Sequence, residues 1–404
     1  MSLDRRHQLE NIEVSAVMPC LNEARTLATC IRKAQQSFAK LGVTGEVVVA
    51  DNGSTDQSRQ IAESLGARVV QEPIKGYGTA LMAGIKAARG EIIIIGDADD
   101  SYDWSDLGAF VEGIRQGNDL VMGNRFKGGI LPGAMPWHHR YIGNPLLSRL
   151  SRFVYGVPIG DFHCGMRAFT RTAYELMHPH ATGMEFATEL VACAARMNLK
   201  IAEVPVKLYP DGRNRPSHLR SFRDGWRHLR FILTYAPDHL YLLPGTLLLG
   251  SGLFLQCLLA RGPLSISDYY FGIHFVALGG LLTLVGFNLI HMGVLAKILV
   301  LERFPRMRAK LASWALESFT LEKGLLFGGC LAAIGALVEL GILIRWLLNP
   351  GEPMEGTVHP AFVAGQAIVL GTNIIFASFV LHLLVGTRAA RSPTTAQNAG
   401  ERPS

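Results

Sequence analysis

Four apolar stretches, at 240–260, 271–296, 324–348 and 361–386, each reach or exceed the ~20 residues needed to cross a bilayer. Lipid offers the backbone no hydrogen-bond partner, so segments this long are expected to be membrane-spanning helices. Only the third contains an acid, Glu339. A carboxylate in lipid is costly, and a helix–helix hydrogen bond is its expected role. The connections set the orientation. RGPLSISDYY carries one arginine and NPGEPMEGTVHP carries neither Lys nor Arg, whereas the middle loop has Arg303, Arg306, Arg308, Lys310 and Lys323, and the tail has Arg388 and Arg391. The positive-inside rule then puts the N-terminal region, the middle loop and the tail in the cytoplasm of a multi-pass cell-membrane protein. The opening MSLDRRHQLENIEVS lacks the apolar core of a cleavable signal.

Composition adds to this picture. A net charge of +6 with a mean hydropathy of +0.22 points to membrane lipids, not nucleic acid, as the partner. Cys20, Cys30, Cys164, Cys193, Cys257 and Cys330 form no CxxC pair and are expected as reduced, mostly buried thiols. The expected organisation is a cytoplasmic domain over 1–217, an amphipathic helix over 218–237, a four-helix membrane region over 238–388, and a disordered tail over 389–404. In HLRSFRDGWRHLRFILTYAP, Leu219, Phe222, Trp226, Leu229 and Leu233 share one helical face flanked by Arg220, Arg223, Arg227 and Arg230. Such a helix, placed just before the first span, suits the headgroup plane.

The first 235 residues alternate short apolar runs with helical patterns. Strands are expected at Ile12–Met18, Glu46–Ala50, Arg68–Gln71, Glu91–Ile95 and Asp119–Gly123. A helix follows the first, with Leu27, Ile31, Ala34, Phe38 and Leu41 at spacings of three and four, and another spans Gly78 to Ala88. Ser54-Thr55-Asp56-Gln57 has the form of a capping box. Strands apolar on both faces and separated by helices call for a mostly parallel α/β sheet covered on both sides, with ligands at the carboxyl ends of the strands.

Polar residues gather at those ends. EIIIIGDADD crowds Asp97, Asp99 and Asp100 directly after a buried strand, which is unfavourable unless a cation sits among them. Hard oxygen ligands there suit Mg²⁺ or Mn²⁺, with substrate phosphates completing the shell. Asp51 in ADNGSTD, and Asn22 and Glu23 in PCLNEA, end two further strands; Asp51 could hold a base or ribose, or simply cap the next helix. KGYGTALMAG is no dinucleotide fingerprint, because Leu81 stands where the third glycine belongs.

PCLNE, ADNGSTD, KGYGTA, DADD, GNR, DFHCGMR and YPDGRNRPSHLR, in that order over roughly Val14 to Tyr235, resemble the family 2 glycosyltransferases of GT-A fold. Within them the chain resembles the dolichol-phosphate mannose synthase and polyprenyl-phosphate glucosyltransferase group. The resemblance implies a GT-A Rossmann-like, mostly parallel sheet with flanking helices. It also implies a divalent metal and inverting transfer of a hexose from a nucleotide sugar, UDP-glucose or GDP-mannose, to a polyprenyl phosphate at the cytoplasmic face. Carried over by motif, Pro19, Asn22, Glu23, Asp51 and Lys75 would hold the nucleotide sugar together with Asp97, Ala98, Asp99 and Arg215. Asp97 and Asp99 would hold the metal; Arg125, Arg140 and Arg220 the lipid phosphate; Asp161, Asp99 and Arg213 would serve catalysis. Two positions depart from the group's pattern. Ser101 stands where a further metal-ligating Gln is common, and Cys20-Leu21 where Ala-Tyr or similar is usual.

An arginine-rich site suits an anionic acceptor and a departing diphosphate. A phosphate monoester is already mostly a dianion at neutral pH, so Asp161 is read equally as base or as orienting group. Glu185 and Glu189 could support the acceptor site or act as an ordinary capping pair, and His138 and His139 are read as interfacial. A processive polysaccharide synthase is disfavoured because SFRDGWRHLR lacks a QxxRW motif. A non-catalytic lipid-binding scaffold is disfavoured by the intact aspartates and arginines. No local motif reports the sugar, the base, the polyprenol length or whether the chain forms a homo-oligomer.

Overall fold

The computed structural model describes residues 12–212, 221–304 and 320–391. Its first unit, ending at Tyr235, is built on strands β1 (Val14–Cys20), β2 (Gly45–Asp51), β3 (Arg68–Gln71), β4 (Ile92–Ile95), β5 (Leu120–Asn124), β6 (Arg167–Thr170) and β7 (Ile201–Pro205). They form one sheet in the order β3-β2-β1-β4-β6-β5-β7. All neighbours are parallel except β6, which runs against both β4 and β5. This is the mostly parallel α/β sheet of the GT-A fold, and β6 and β7 are strands that periodicity alone had not marked.

The pattern of burial explains the layers. Ile92 to Ile95 are buried in succession because helices cover both faces of β4. The helix Leu27–Leu41 turns Leu27, Ile31, Ala34 and Phe38 into the core, as its spacing requires, and closes on Gly42 in the left-handed region (φ 63°). The helix Tyr77–Ala87 lies close on the sheet: a Cβ on Gly84 would come within 2.6 Å of the Val17 side chain. The expected capping box does not form. The helix begins at Ser58, Asp56 Oδ1 accepts the Ser58 N–H at 3.0 Å, and Ser54 Oγ accepts the Asn22 N–H at 2.9 Å. Ser54 is drawn into the β1–β2 edge instead.

Helix Ser221–Thr234 belongs to this first unit and packs on helices Asn144–Tyr155 and Phe186–Arg196. Its buried residues are Asp224, His228 and Ile232, while Phe222 is 95% exposed and Trp226 57% exposed. Asp224, His228 and Ile232 therefore face the domain, while Phe222 and Trp226 face outward with Arg223 and Arg230. Leu219 and Arg220 lie outside the described residues.

The second unit, from Ala236, has four helices long and apolar enough to cross a membrane: Asp238–Leu259, Ile273–Glu302, Leu321–Leu348 and Glu355–Leu384. They pair as two hairpins at small residues. A Cβ on Gly252 would meet the Thr283 backbone at 2.5 Å, and one on Gly335 would meet the Ala364 carbonyl at 2.5 Å. Lys297 pairs with Asp238 across the first hairpin. Glu339 faces the fourth helix, its Oε1 being 3.7 Å from a Cβ built on Gly365, and the expected interhelical hydrogen bond is absent among the described residues. Cys20, Cys30, Cys164 and Cys193 are buried and free; Cys257 and Cys330 are exposed on membrane helices. Arg306, Arg308 and Lys310 of the middle loop, and the tail from residue 392, lie outside the described residues.

Candidate active site

The strand order places β1 between β2 and β4, so the carboxyl ends of β2, β1 and β4 share one edge where the chain order reverses. This is the expected place for a ligand. The three aspartates after β4 part company there. Asp97, half-buried, accepts a hydrogen bond from the Tyr77 hydroxyl at 3.1 Å. Asp99, buried, accepts the Ser101 hydroxyl at 2.6 Å and the Ser101 N–H at 3.1 Å. Asp100 takes a left-handed backbone (φ 60°) and pairs with Lys33 Nζ at 2.7 Å. Turning Asp100 away relieves part of the crowding, and Ser101 steadies the carboxylate of its neighbour.

The first two strand ends are bound into the same edge. Thr26 Oγ1 donates to the Ala98 carbonyl at 2.7 Å and lies 3.5 Å from Glu23 Oε2. Asn22, at φ 60°, accepts the Thr55 N–H on Oδ1 at 2.7 Å. Pro19 pairs with Ala50 in the β1–β2 register, one step before Asp51. Asp51 is 2% exposed, and its carboxylate accepts the Gly53 and Ser54 N–H groups. Its visible work is to cap the loop after β2. Lys75 Nζ donates to the Asn52 carbonyl at 2.7 Å, tying the KGYG segment to that loop.

KGYGTA is built flush against a distant segment. A Cβ on Gly76 would lie 2.3 Å from the Thr182 carbonyl oxygen, and one on Gly78 would lie 2.1 Å from the Ala181 carbonyl oxygen. Glu189 Oε2 holds that segment by accepting the His180 and Ala181 N–H groups at 2.8 and 2.6 Å. Burial pushes Glu189 up to about 7, against the pull of the Ala181 N–H and with Glu185 adding to the rise. Glu189 is thus a capping carboxylate that supports the loop beside Asp97.

At the other side of the sheet, β5 ends in Asn124 and Arg125. Arg125 and Asp161 form a buried bidentate pair: Nε to Oδ2 at 2.7 Å and Nη2 to Oδ1 at 2.8 Å, with the Arg125 N–H adding 3.1 Å to Oδ2. Sequence reasoning assigns Arg125 to the lipid phosphate and Asp161 to catalysis without linking them; the structure makes them partners. Glu203 of β7 lies beneath them, with Oε1 accepting from Gly160 N, Asp161 N and Asn124 Nδ2, and Oε2 pairing with Lys127. Neither Glu203 nor Tyr77 had been singled out. A lone acid inside the apolar run IAEVP was the one available sign of the first.

Arg140 is half-buried, stacks over Tyr141 at 5.4 Å and reaches the Ile130 carbonyl at 3.4 Å. His138 and His139 pack edge to face, and burial followed by the charges of His138 and Arg125 lowers His139. Trp137, Tyr141, Ile142, Leu146 and Phe153 around them are exposed. Arg213, Arg215, His218 and Arg220 lie outside the described residues. Gly212, one residue before Arg213, donates its N–H to the Asp99 carbonyl at 3.0 Å.

The donors present fit a Mg²⁺ or Mn²⁺ ion. Asp97 and Asp99 offer hard oxygens, and a Cβ on Gly165 would sit 2.7 Å from Asp97 Oδ2, so glycine keeps room beside that carboxylate. No cluster of three or more His, Cys, Asp or Glu occurs among the described residues. Two carboxylates without a full protein cage suit an ion that keeps water and shares phosphate oxygens.

The model of glycosyl transferase family 2 matches residues 15–177, and that of the glycosyltransferase family 2 C-terminal transmembrane region matches residues 294–385. The low-salt glycan biosynthesis hexosyltransferase Agl6 of Haloferax volcanii is 38% identical over 371 residues, covering 91% of this chain and 88% of that protein. A dolichyl-phosphate hexose transferase of the same organism is 36% identical over 165 residues, covering 40% of this chain and 68% of that protein. Among solved structures, glucosyl-3-phosphoglycerate synthase from Mycobacterium tuberculosis is 25% identical over 56% of this chain and 80% of that one, with a TM-score of 0.43.

Proposed function

Because the chain belongs to glycosyl transferase family 2 and is a membrane-associated hexosyltransferase, we propose that it moves a hexose from a nucleotide sugar to a polyprenyl phosphate. Transfer takes place at the cytoplasmic face of the cell membrane, by single displacement with inversion. The observation that carries this reading is a buried arginine, already aimed by Asp161, on the sheet edge that also bears Asp97 and Asp99. One end of that edge suits a metal-bound diphosphate and the other suits a second anion.

The roles follow from chemistry. Asp97 and Asp99 hold Mg²⁺ or Mn²⁺, which when bound offsets the charge of the donor's diphosphate as it departs. Tyr77 and Ser101 hold the two carboxylates in place. Asn22 and Glu23 border the nucleotide, while Asp51 supports it indirectly by shaping the loop after β2. Both Asp161 oxygens are engaged by Arg125, which favours an orienting role over proton abstraction. A phosphate dianion needs no base to attack the anomeric carbon. Arg125 Nη1 forms no hydrogen bond among the described residues and supplies N–H donors for the lipid phosphate, with Arg140 as a second contact. The exposed aromatic and aliphatic side chains around Arg140, with Phe222 and Trp226, suit the interfacial region where a polyprenyl chain resides.

The test is transfer of labelled hexose to polyprenyl phosphate by the full chain in lipid vesicles, across a panel of UDP- and GDP-sugars with Mg²⁺ or Mn²⁺. One donor should yield a chloroform-soluble, acid-labile product that requires the metal. Transfer only to soluble acceptors, or undiminished transfer in EDTA, would overturn the proposal.

A further inference from the structure

We propose that Glu203 is a positioning residue that presents Arg125 to the acceptor's phosphate; this rests on the acceptor reading above. The carboxylate is 5% exposed in its side chain, and a buried carboxylate is costly unless its lone pairs are filled. Here they are filled from both segments that carry the arginine–aspartate pair. Oε1 accepts Gly160 N at 2.6 Å and Asp161 N at 3.1 Å from one segment, and Asn124 Nδ2 at 3.1 Å from the other. Oε2 accepts Lys127 Nζ at 2.9 Å. Asn124 in turn caps the short turn Arg125–Gly128, its Oδ1 accepting the Lys127 N–H at 2.9 Å.

Packing leaves these segments no slack. A Cβ on Gly160 would fall 2.6 Å from Asn124 Nδ2, and one on Gly128 would fall 2.3 Å from the Val206 backbone. The turn bearing Arg125 and the loop bearing Asp161 are therefore both mounted on β7, with one carboxylate bridging them. A guanidinium gripped along its Nε and Nη2 edge points its Nη1 in one direction, set by where the Asp161 backbone stands. Glu203 fixes that backbone without touching any substrate. Preorganised donors of this kind avoid paying to reorient when the anion arrives.

The test is a double-mutant cycle in the full chain in vesicles, reading separate KM values for polyprenyl phosphate and for the sugar donor. Glu203→Ala should raise the acceptor KM by about tenfold, leave the donor KM within about twofold, and add nothing further in an Arg125→Ala background. Glu203→Gln keeps an oxygen for Gly160 and Asp161 and should move the acceptor KM by less than about threefold; it serves where the alanine variant does not fold. An unmoved acceptor KM in Glu203→Ala, effects that multiply with Arg125→Ala, or a Gln variant that lowers kcat and both KM-dependent rates alike would overturn the proposal. A wild-type rate with no saturable dependence on polyprenyl phosphate would overturn the acceptor reading itself, and the role of Glu203 with it.

Discussion

The carboxylates after β4 and the arginine–aspartate pair after β5 sit on one edge of one sheet, yet they are held by different means. Asp97 accepts the Tyr77 hydroxyl, and Asp99 accepts both the hydroxyl and the N–H of its neighbour Ser101. Arg125 and Asp161 are clamped to each other, and Glu203 holds Asp161 N and the Asn124 side chain next to Arg125, from three stretches of chain far apart. The first arrangement suits the proposed ion and its waters. The second spends most of its hydrogen-bonding capacity on itself, and Arg125 Nη1 forms no hydrogen bond among the described residues. The arginine, already paired with a carboxylate, is built tightly into the chain.

The contrast can be broken most sharply at the carboxylates. Asp97→Ala and Asp99→Ala should each lower transfer by at least ~10²-fold and abolish Mn²⁺ binding in a paramagnetic-resonance titration, with little change in melting temperature. Retained Mn²⁺ binding would move the metal elsewhere. Next in size, Arg125→Ala leaves Asp161 buried without its partner and should cost about 3–5 kcal/mol of stability, seen as an early melt. Arg140→Ala, half-exposed, should cost under ~1 kcal/mol. Equal losses would mean that the two arginines are held alike. Gly78→Ala forces a Cβ against the Ala181 carbonyl and should cost about 1–3 kcal/mol; a neutral outcome would show that KGYG is free to shift.

The smallest effect concerns pH. Burial raises Glu189 to about 7, so the stability it contributes is full below its ordinary range near 4.5 and is lost as pH rises through about 7. Melting temperature should therefore fall slightly from pH 5 to pH 7.5, and Glu189→Gln should flatten that slope. An unchanged slope in the variant would assign the dependence to another group.

How far the chain could be read without coordinates follows from the same contrast. β4 and its aspartates were visible because a run of four isoleucines is followed closely by three acids. The helix Leu27–Leu41 and the membrane spans were visible for a similar reason, since apolar spacing is a local signal. β6 escaped notice because Arg167–Thr170 has no β-branched apolar run and buries an arginine, which reads as a surface residue. The Arg125–Asp161 pair and its Glu203 support were hidden because their sequence separations of 36 and 42 leave no periodic trace. Asp51 is the ambiguous case: a conspicuous acid at a strand end, legible as a ligand or as a cap, whose carboxylate accepts N–H groups of its own loop.

The reversed strand β6 also decides where a reporter could be attached. Running against its neighbours, it starts at the edge where they finish, so the loop holding Asp161 reaches the working edge without a crossover helix. The opposite edge is left to plain turns, such as the one before β5 at exposed Gln116, next to Gly117 in the left-handed region. A fluorophore grafted into that turn would track the domain through its reaction cycle from a bystander's position, blind to the chemistry but fixed to the same rigid sheet.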